Sequence, residues 1–193
     1  MENDLELIKR AREGDNLAFR ELVEANKRNV FYLAFDLTGS REDAEDISQE
    51  VFIKAFRSLN KFQGESKFST WIYRITVNTC FSLKSKKWYS ALKPEENMTD
   101  IIDKDNRKSN ENADSNPERK TNSGFIKNHL QKAMRKLSER EHSVFVMRNM
   151  RELLFDEIAK VLQLHPGTVR KFNFRALQKL RKELSFYKNE FEG

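Results

Sequence analysis

The stretch FQGESKFSTWIYRITVNTCFSLKSKK, Phe62 to Lys87, joins a Gly-containing polar loop to an aromatic helix that grows more basic toward its end. On a helical wheel Ile72, Ile75, Thr79 and Leu83 form one stripe, while Tyr73, Arg74, Val77, Phe81 and Lys84 fall on the far side. Neither side is simply polar. Rings beside cations suit a single-stranded nucleic acid, because rings stack on bases while cations hold phosphate. A helix buried on both faces of a bundle would carry the same pattern. Read alone, the stretch leaves both readings standing.

Composition narrows the classes. The 193 residues suffice for one ordinary domain or two small ones. Hydrophobic residues make up 38% and charged residues 34%. No run approaches the roughly 20 apolar residues of a membrane helix, so no membrane insertion is expected. The opening MENDLELIKRAREGD is charged throughout and lacks the apolar core of a secretory signal, which predicts a cytoplasmic protein. The single Cys80 cannot close an internal disulfide and reads as a small packed residue. The three histidines, His129, His142 and His165, have no metal-ligand spacing, so neither a metal nor another cofactor is implied.

Charge is unevenly spread. Residues 1–87 hold 15 Lys and Arg against 14 Asp and Glu, residues 88–125 hold 6 against 8, and residues 126–185 hold 14 against 6. The basic excess of the last third attracts polyanions and implicates nucleic acid.

Upstream of the opening stretch the chain reads as helices, with few Gly or Pro and no strand alternation. Leu5 and Ile8 mark a short first helix. After Gly14-Asp15-Asn16, a long amphipathic helix is predicted over Leu17 to Leu37, ending at Gly39. Ser40 offers an N-cap for the helix SREDAEDISQEVFIKAFRSL, whose core stripe is Ala44, Ile47, Val51, Phe52, Ala55 and Leu59. Its opposite face aligns Asp43, Asp46, Gln49 and Glu50 with the apolar Ile53. A metal or acid/base site would need further ligands that are not nearby. A solvated face needs nothing more. A docking face for a basic partner would use the acids for steering and Ile53 for apolar contact, and an outward Ile favours it.

Downstream, residues 88–125 are polar, contain Pro94 and Pro117, and read as a flexible linker, with Trp88 to Leu92 and Ile101-Ile102 as its apolar exceptions. A second module follows over residues 126–193. Ile126, Leu130, Ala133, Met134 and Leu137 form one helix, and Ser138 with Glu141 makes a capping box for the next. Phe155 to Val161 is a short helix, Leu162 to His165 turns, and Pro166 stands at the first position of another, which is helix-turn-helix spacing. Val169, Ala176, Leu177, Leu180 and Leu184 share its inner face; Thr168, Arg170, Lys171, Phe174, Arg175, Gln178 and Lys179 point away. Cations that reach guanine edges or phosphate, beside a ring for thymine methyls, suit a duplex groove. A basic solvated helix closing a small bundle is the plainer alternative. Turn, charge and ring together favour DNA.

Taken together, DAEDISQEVF (Asp43 to Phe52), KFQGESKFSTWIYRITVNT (Lys61 to Thr79) and DEIAKVLQLHPGTVRKFNFRAL (Asp156 to Leu177) resemble the extracytoplasmic-function (ECF) group of bacterial sigma factors. The resemblance implies an all-α chain with a sigma2 helical bundle at residues 1–87 and a sigma4 helix-turn-helix domain at 126–193. It implies a non-enzymatic subunit that directs core RNA polymerase to promoter DNA. Asp43, Asp46, Gln49, Glu50 and Ile53 would dock on the β′ clamp coiled coil, with the β subunit a further contact. Phe62, Gln63, Gly64 and Lys67, beside Trp71, Tyr73, Arg74, Asn78 and Lys84, would capture the melted −10 element. Thr168, Arg170, Lys171, Phe174, Arg175 and Lys179 would read the −35 element as duplex. An anti-sigma factor is a partner that the resemblance allows. The alternative is a helix-turn-helix regulator that binds duplex DNA without being a polymerase subunit. The recognition helix departs from the family pattern at Phe172, where a basic residue is usual, and at Asn173, where an aliphatic one is. An unbonded amide on that inner stripe would cost about 1–3 kcal/mol, which calls for a slight rotation of the helix or a bond to a loop carbonyl.

Overall fold

The computed structural model describes the backbone of residues 2–92 and 129–185, with side chains over 4–85 and 129–185. From residue 93 the expected linker lies outside the described residues, as do Ile126 and the tail from residue 186. Every regular element described is helical. The first module comprises α1 (Glu2–Arg12), α2 (Asn16–Thr38), α3 (Arg41–Ser58), a 3-10 turn (Leu59–Lys61) and α4 (Phe68–Leu92). The second comprises helical residues 129–134 (α5), α6 (Glu139–Phe145), a π-helical turn (Val146–Met150), α7 (Phe155–Leu162) and α8 (Pro166–Glu183).

Local chemistry sets the boundaries. Asp15 caps α2 by accepting from the N–H groups of Leu17 and Ala18 at 2.9 and 3.2 Å. Gly39 ends α2 in the left-handed region at φ 75°, where a side chain would be strained. Ser40 then caps α3, its Oγ accepting from Asp43 N–H at 3.2 Å. In the second module Ser138 and Glu141 form the expected capping box.

The core of the first module is built by Leu22, Val30, Leu33 and Leu37 of α2, Ala44, Ile47, Val51 and Ala55 of α3, and Phe68, Ile72, Thr76, Val77 and Cys80 of α4. Burying each of the larger apolar side chains stabilises by about 1.5–3 kcal/mol, and Ile72→Ala would cost about 2–5 kcal/mol. Thr76 is tolerated inside because its hydroxyl donates to the Ile72 carbonyl at 2.9 Å. Burial pushes the Cys80 thiol up to about 12, so it is the packed, unreactive residue expected. In α1 it is Leu7 and Ile8 that enter the core, and Leu5 is exposed.

One wheel assignment changes. Val77 and Tyr73, on the far side from Ile72, are buried as well. The reason is tertiary: α4 packs on α2 and α3 of its own bundle and on α7 of the second module. Ile75, Leu83 and Phe81 are half-buried. An ion pair between Asp36 of α2 and Arg151, 2.7 Å long, helps join the modules, with the Arg151 guanidinium 5.5 Å from the Tyr32 ring. Burial raises the Asp36 carboxyl above its ordinary range, against the opposing charge of Arg151.

Candidate nucleic-acid interface

On α3, Asp46, Gln49, Glu50 and Ile53 are all exposed, and their spacing of three and four residues puts them on one face. Asp43 is half-buried in the first turn, where its charge complements the helix dipole. Glu50 meets Lys54 at 2.7 Å, an exposed pair that adds little stability. Lys54 also donates to Thr79 at 3.0 Å, which ties the base of this face to α4. Phe56, one turn beyond Ile53, extends the apolar part: the two are 51% and 50% exposed. Sequence reading passed over Phe56, although its offset of three from Ile53 was the available signal.

The loop before α4 is pinned from inside. Phe62 packs against Phe68 and Trp71 with ring centroids 6.1 and 5.2 Å away, and both Phe62 and Trp71 are buried. Between these anchors Gln63, Gly64 and Lys67 are exposed. Gly64 has φ 77°, the left-handed region that favours glycine. Lys67 accepts at its carbonyl from Thr70 and Trp71 and so starts α4. By helical spacing Lys67, Arg74 and Asn78 follow one line along the helix, Asn78 exposed and Arg74 half-buried.

Nine residues are expected at a melted strand. The structure brings Gln63, Gly64, Lys67 and Asn78 to the surface, leaves Arg74 and Lys84 half-covered, and encloses Phe62, Trp71 and Tyr73. Phe62 and Trp71 are enclosed by their own bundle. Tyr73 instead faces the second module, beside Arg151 and Glu157 in a cleft of about 220 Å³. Lys67 reaches Glu157 at 3.5 Å across the same boundary.

The helix-turn-helix forms as its punctuation predicts. Gln163 turns the chain at φ 55°, His165 caps α8 by accepting from Gly167 N–H at 3.1 Å, and Pro166 occupies the first turn. Val169, Ala176 and Leu180 pack inward. Arg170, Lys171, Phe174 and Arg175 are exposed and Thr168 half-buried; Phe174 is 60% exposed. Asn173 does find a bond, though not to a loop carbonyl. Its Oδ1 accepts from Asn149 Nδ2 at 3.1 Å, and the same Nδ2 donates to the Phe145 carbonyl at 3.0 Å. The π-helical turn presents Asn149 there. Phe172 packs partly against the core.

Lys179 sits differently from its neighbours. Its ammonium is 2.7 Å from the Glu141 carboxylate. Burial pushes Glu141 up, but the bonds from Lys179 and Ser138 outweigh it and hold the carboxyl below its usual range. Among the described residues no group of His, Cys, Asp and Glu is placed to hold a metal ion, and no helix is long and apolar enough to cross a membrane.

An exposed helix-turn-helix on one module and a loop-led, cation-lined helix on the other define a two-part helical DNA-binding protein. Residues 22–89 match the sigma-70 region 2 family and residues 133–182 the sigma-70 region 4 family. The chain is 34% identical to the ECF RNA polymerase sigma factor SigW of Bacillus subtilis, covering 92% of this chain and 94% of that one. It is also 34% identical to the ECF RNA polymerase sigma-E factor of Escherichia coli K12, covering 90% of each. The fold resembles that of the sigma factor RpoE of Bartonella quintana, solved with the anti-sigma factor NepR, at TM-score 0.64 and 17% identity over 86% of this chain and 96% of that one. The chain belongs to the ECF RNA polymerase sigma factors.

Proposed function

We propose that this sigma factor brings core RNA polymerase to promoters through three separate surfaces. Asp43, Asp46, Gln49, Glu50 and Ile53 dock on the β′ clamp coiled coil. The loop from Phe62 to Lys67, with Arg74, Asn78 and Lys84, holds the melted −10 element. Thr168, Arg170, Lys171, Phe174 and Arg175 read the −35 element as duplex. The observation that carries this reading is the line of Lys67, Arg74 and Asn78 leading from a loop whose Gln63 and Gly64 are open while its rings are anchored inside. Such a loop is stiff enough to select a base and polar enough to meet a strand. Contacts to an unstacked base, about 1–3 kcal/mol each, offset part of the cost of unpairing, and docking and duplex contacts supply the rest. The chemistry of RNA synthesis belongs to the polymerase.

The second module rests on the end of α4 that carries Lys67 and Tyr73. Tyr73 meets DNA only after the modules part, and the boundary pairs Asp36–Arg151 and Lys67–Glu157 are among the polar contacts given up, with the Arg140 guanidinium over the Phe81 ring. An anti-sigma factor, of the kind bound to the Bartonella quintana RpoE, is a further partner for this chain. The test is promoter-dependent transcription by purified core polymerase with and without the protein. Specific transcripts only in its presence support the reading. Duplex binding by the protein without any effect on polymerase would replace it with a free-standing regulator.

A further inference from the structure

Helix α1 lies outside the region 2 match, which begins at residue 22. Leu7, Ile8 and Ala11 bury one side of it in the bundle. The flank beside Ile8, where Leu5 and Arg12 stand three residues before and four after it, serves the loop. Arg12, in the last turn, donates from Nε and Nη2 to the Leu59 carbonyl at 3.2 and 3.1 Å, and from Nη2 to the Phe62 carbonyl as well. Leu59 and Phe62 bracket the 3-10 turn through which the chain leaves α3, and Phe62 N–H donates to Leu59 across it at 3.1 Å. The guanidinium fork therefore closes this turn from outside, as its planar, permanently charged geometry allows and a lysine's does not. Seven residues earlier, on the same face of α1, Leu5 is 52% exposed. Its Cδ2 lies 3.5 Å from where a Cβ on Gly64 would stand. Neither residue is needed for the core, yet one holds the entry of the loop and the other backs its left-handed turn.

We infer that α1 is the positioning element of the strand-capturing loop, with Arg12 as the positioning residue that sets its base selectivity. The inference rests on the strand-capture reading above. Gln63, Gly64 and Glu65 are exposed and only Ser66 is half-buried before Lys67, so the geometry at Gln63 and Gly64 is set by what holds the ends and the back of the loop.

Arg12→Met keeps the aliphatic stem and removes every donor. The assay is transcription by core polymerase loaded with the full chain, on templates pre-opened across the −10 element and varied one base at a time. The wild-type chain is expected to prefer one base by about tenfold at one or more positions, the scale of one stacked base, and Arg12→Met to fall within about twofold of no preference. Loading onto polymerase and dependence on the upstream duplex are expected to be unchanged. Leu5→Ser, at an exposed position that does not threaten folding, is expected to reduce the preference in the same direction, and it decides the matter if Arg12→Met yields little folded protein. A purely structural role would lower output on all templates in parallel and keep the preference; that result, or wild-type preference in the folded variants, overturns the inference. If the wild-type chain itself shows no base preference on opened templates, the strand-capture reading fails and this inference falls with it.

Discussion

Lys179→Ala separates a DNA contact from a folding contact. On the wheel Lys179 stands with Arg170, Lys171 and Arg175, and a cation on phosphate contributes about 0.9 to the slope of log affinity against log salt. In the structure its ammonium lies 2.7 Å from Glu141, a carboxylate 6% exposed that also accepts from the Ser138 N–H at 2.9 Å. Truncation leaves that carboxylate with the cap alone. A charged hydrogen bond contributes about 1.5–3 kcal/mol, and because the lysine side chain is 48% exposed, water replaces part of it, so the loss is about 1–2 kcal/mol. For a small helical module each kcal/mol corresponds to roughly 4–8 °C in melting temperature. Two measurements are needed: thermal melting of the full chain, and salt titration of the polymerase-bound protein on duplex carrying the upstream element. The expected result is a melting point several degrees lower with an unchanged salt slope. The sign with pH follows from the lowered Glu141 carboxyl: its stabilisation is present above the ordinary glutamate range and is lost as pH falls through the lowered folded value. The difference between variant and wild type should therefore close in acid. A Lys179→Ala protein with wild-type melting and a slope reduced by about one would refute the assignment.

Three further outcomes are expected. Asp46→Lys combined with Glu50→Lys should abolish co-purification with core polymerase while changing stability by no more than about 0.5 kcal/mol per site, since both residues are exposed; unimpaired co-purification would remove the docking role. Arg175→Ala should lower the salt slope on duplex by about 0.9, leave melting unchanged and spare transcription from a pre-opened template, and equal loss on both templates would contradict the division of labour. His142, whose Nε2 is buried without a hydrogen-bond partner, is pushed down to about 4 by burial and then by the charge of Lys84. Its unfolded form protonates near 6.5, so stability is full above that pH and is lost as pH falls toward about 4, by up to about 2 kcal/mol between pH 7 and pH 5. His142→Leu should flatten that part of the melting profile, and an identical pH dependence in the variant would show that another group is responsible.

Much of this was legible in the chain because it is local. Gly39 and Ser40 end one helix and begin the next through their own backbone and hydroxyl, Ser138 and Glu141 are three residues apart, and Pro166 follows a turn made by its neighbours. Periodicity likewise placed Asp46, Gln49, Glu50 and Ile53 on an open face, since a helix with one apolar stripe leaves the other side to water. Reading failed where a residue answers to something distant. Nothing near Arg12 announces Leu59 and Phe62, and nothing near Asn149 announces Asn173. The π-helical turn at Val146–Met150 lies in a run whose composition suits an ordinary helix.

The opening stretch shows the division best. Its amino acids alone dictate a polar turn at Gly64 and a helix after it with Ile72 inward, because those features depend on backbone freedom and on a spacing of three and four residues. They could not say which of Tyr73, Val77 and Phe81 meets water. That depends on how many neighbours surround α4, and only the packing of α2, α3 and α7 around it buries Val77 and Tyr73 while leaving Asn78 exposed. Burial is a property of the partners a side chain meets, and partners far along the chain leave no mark in its own periodicity.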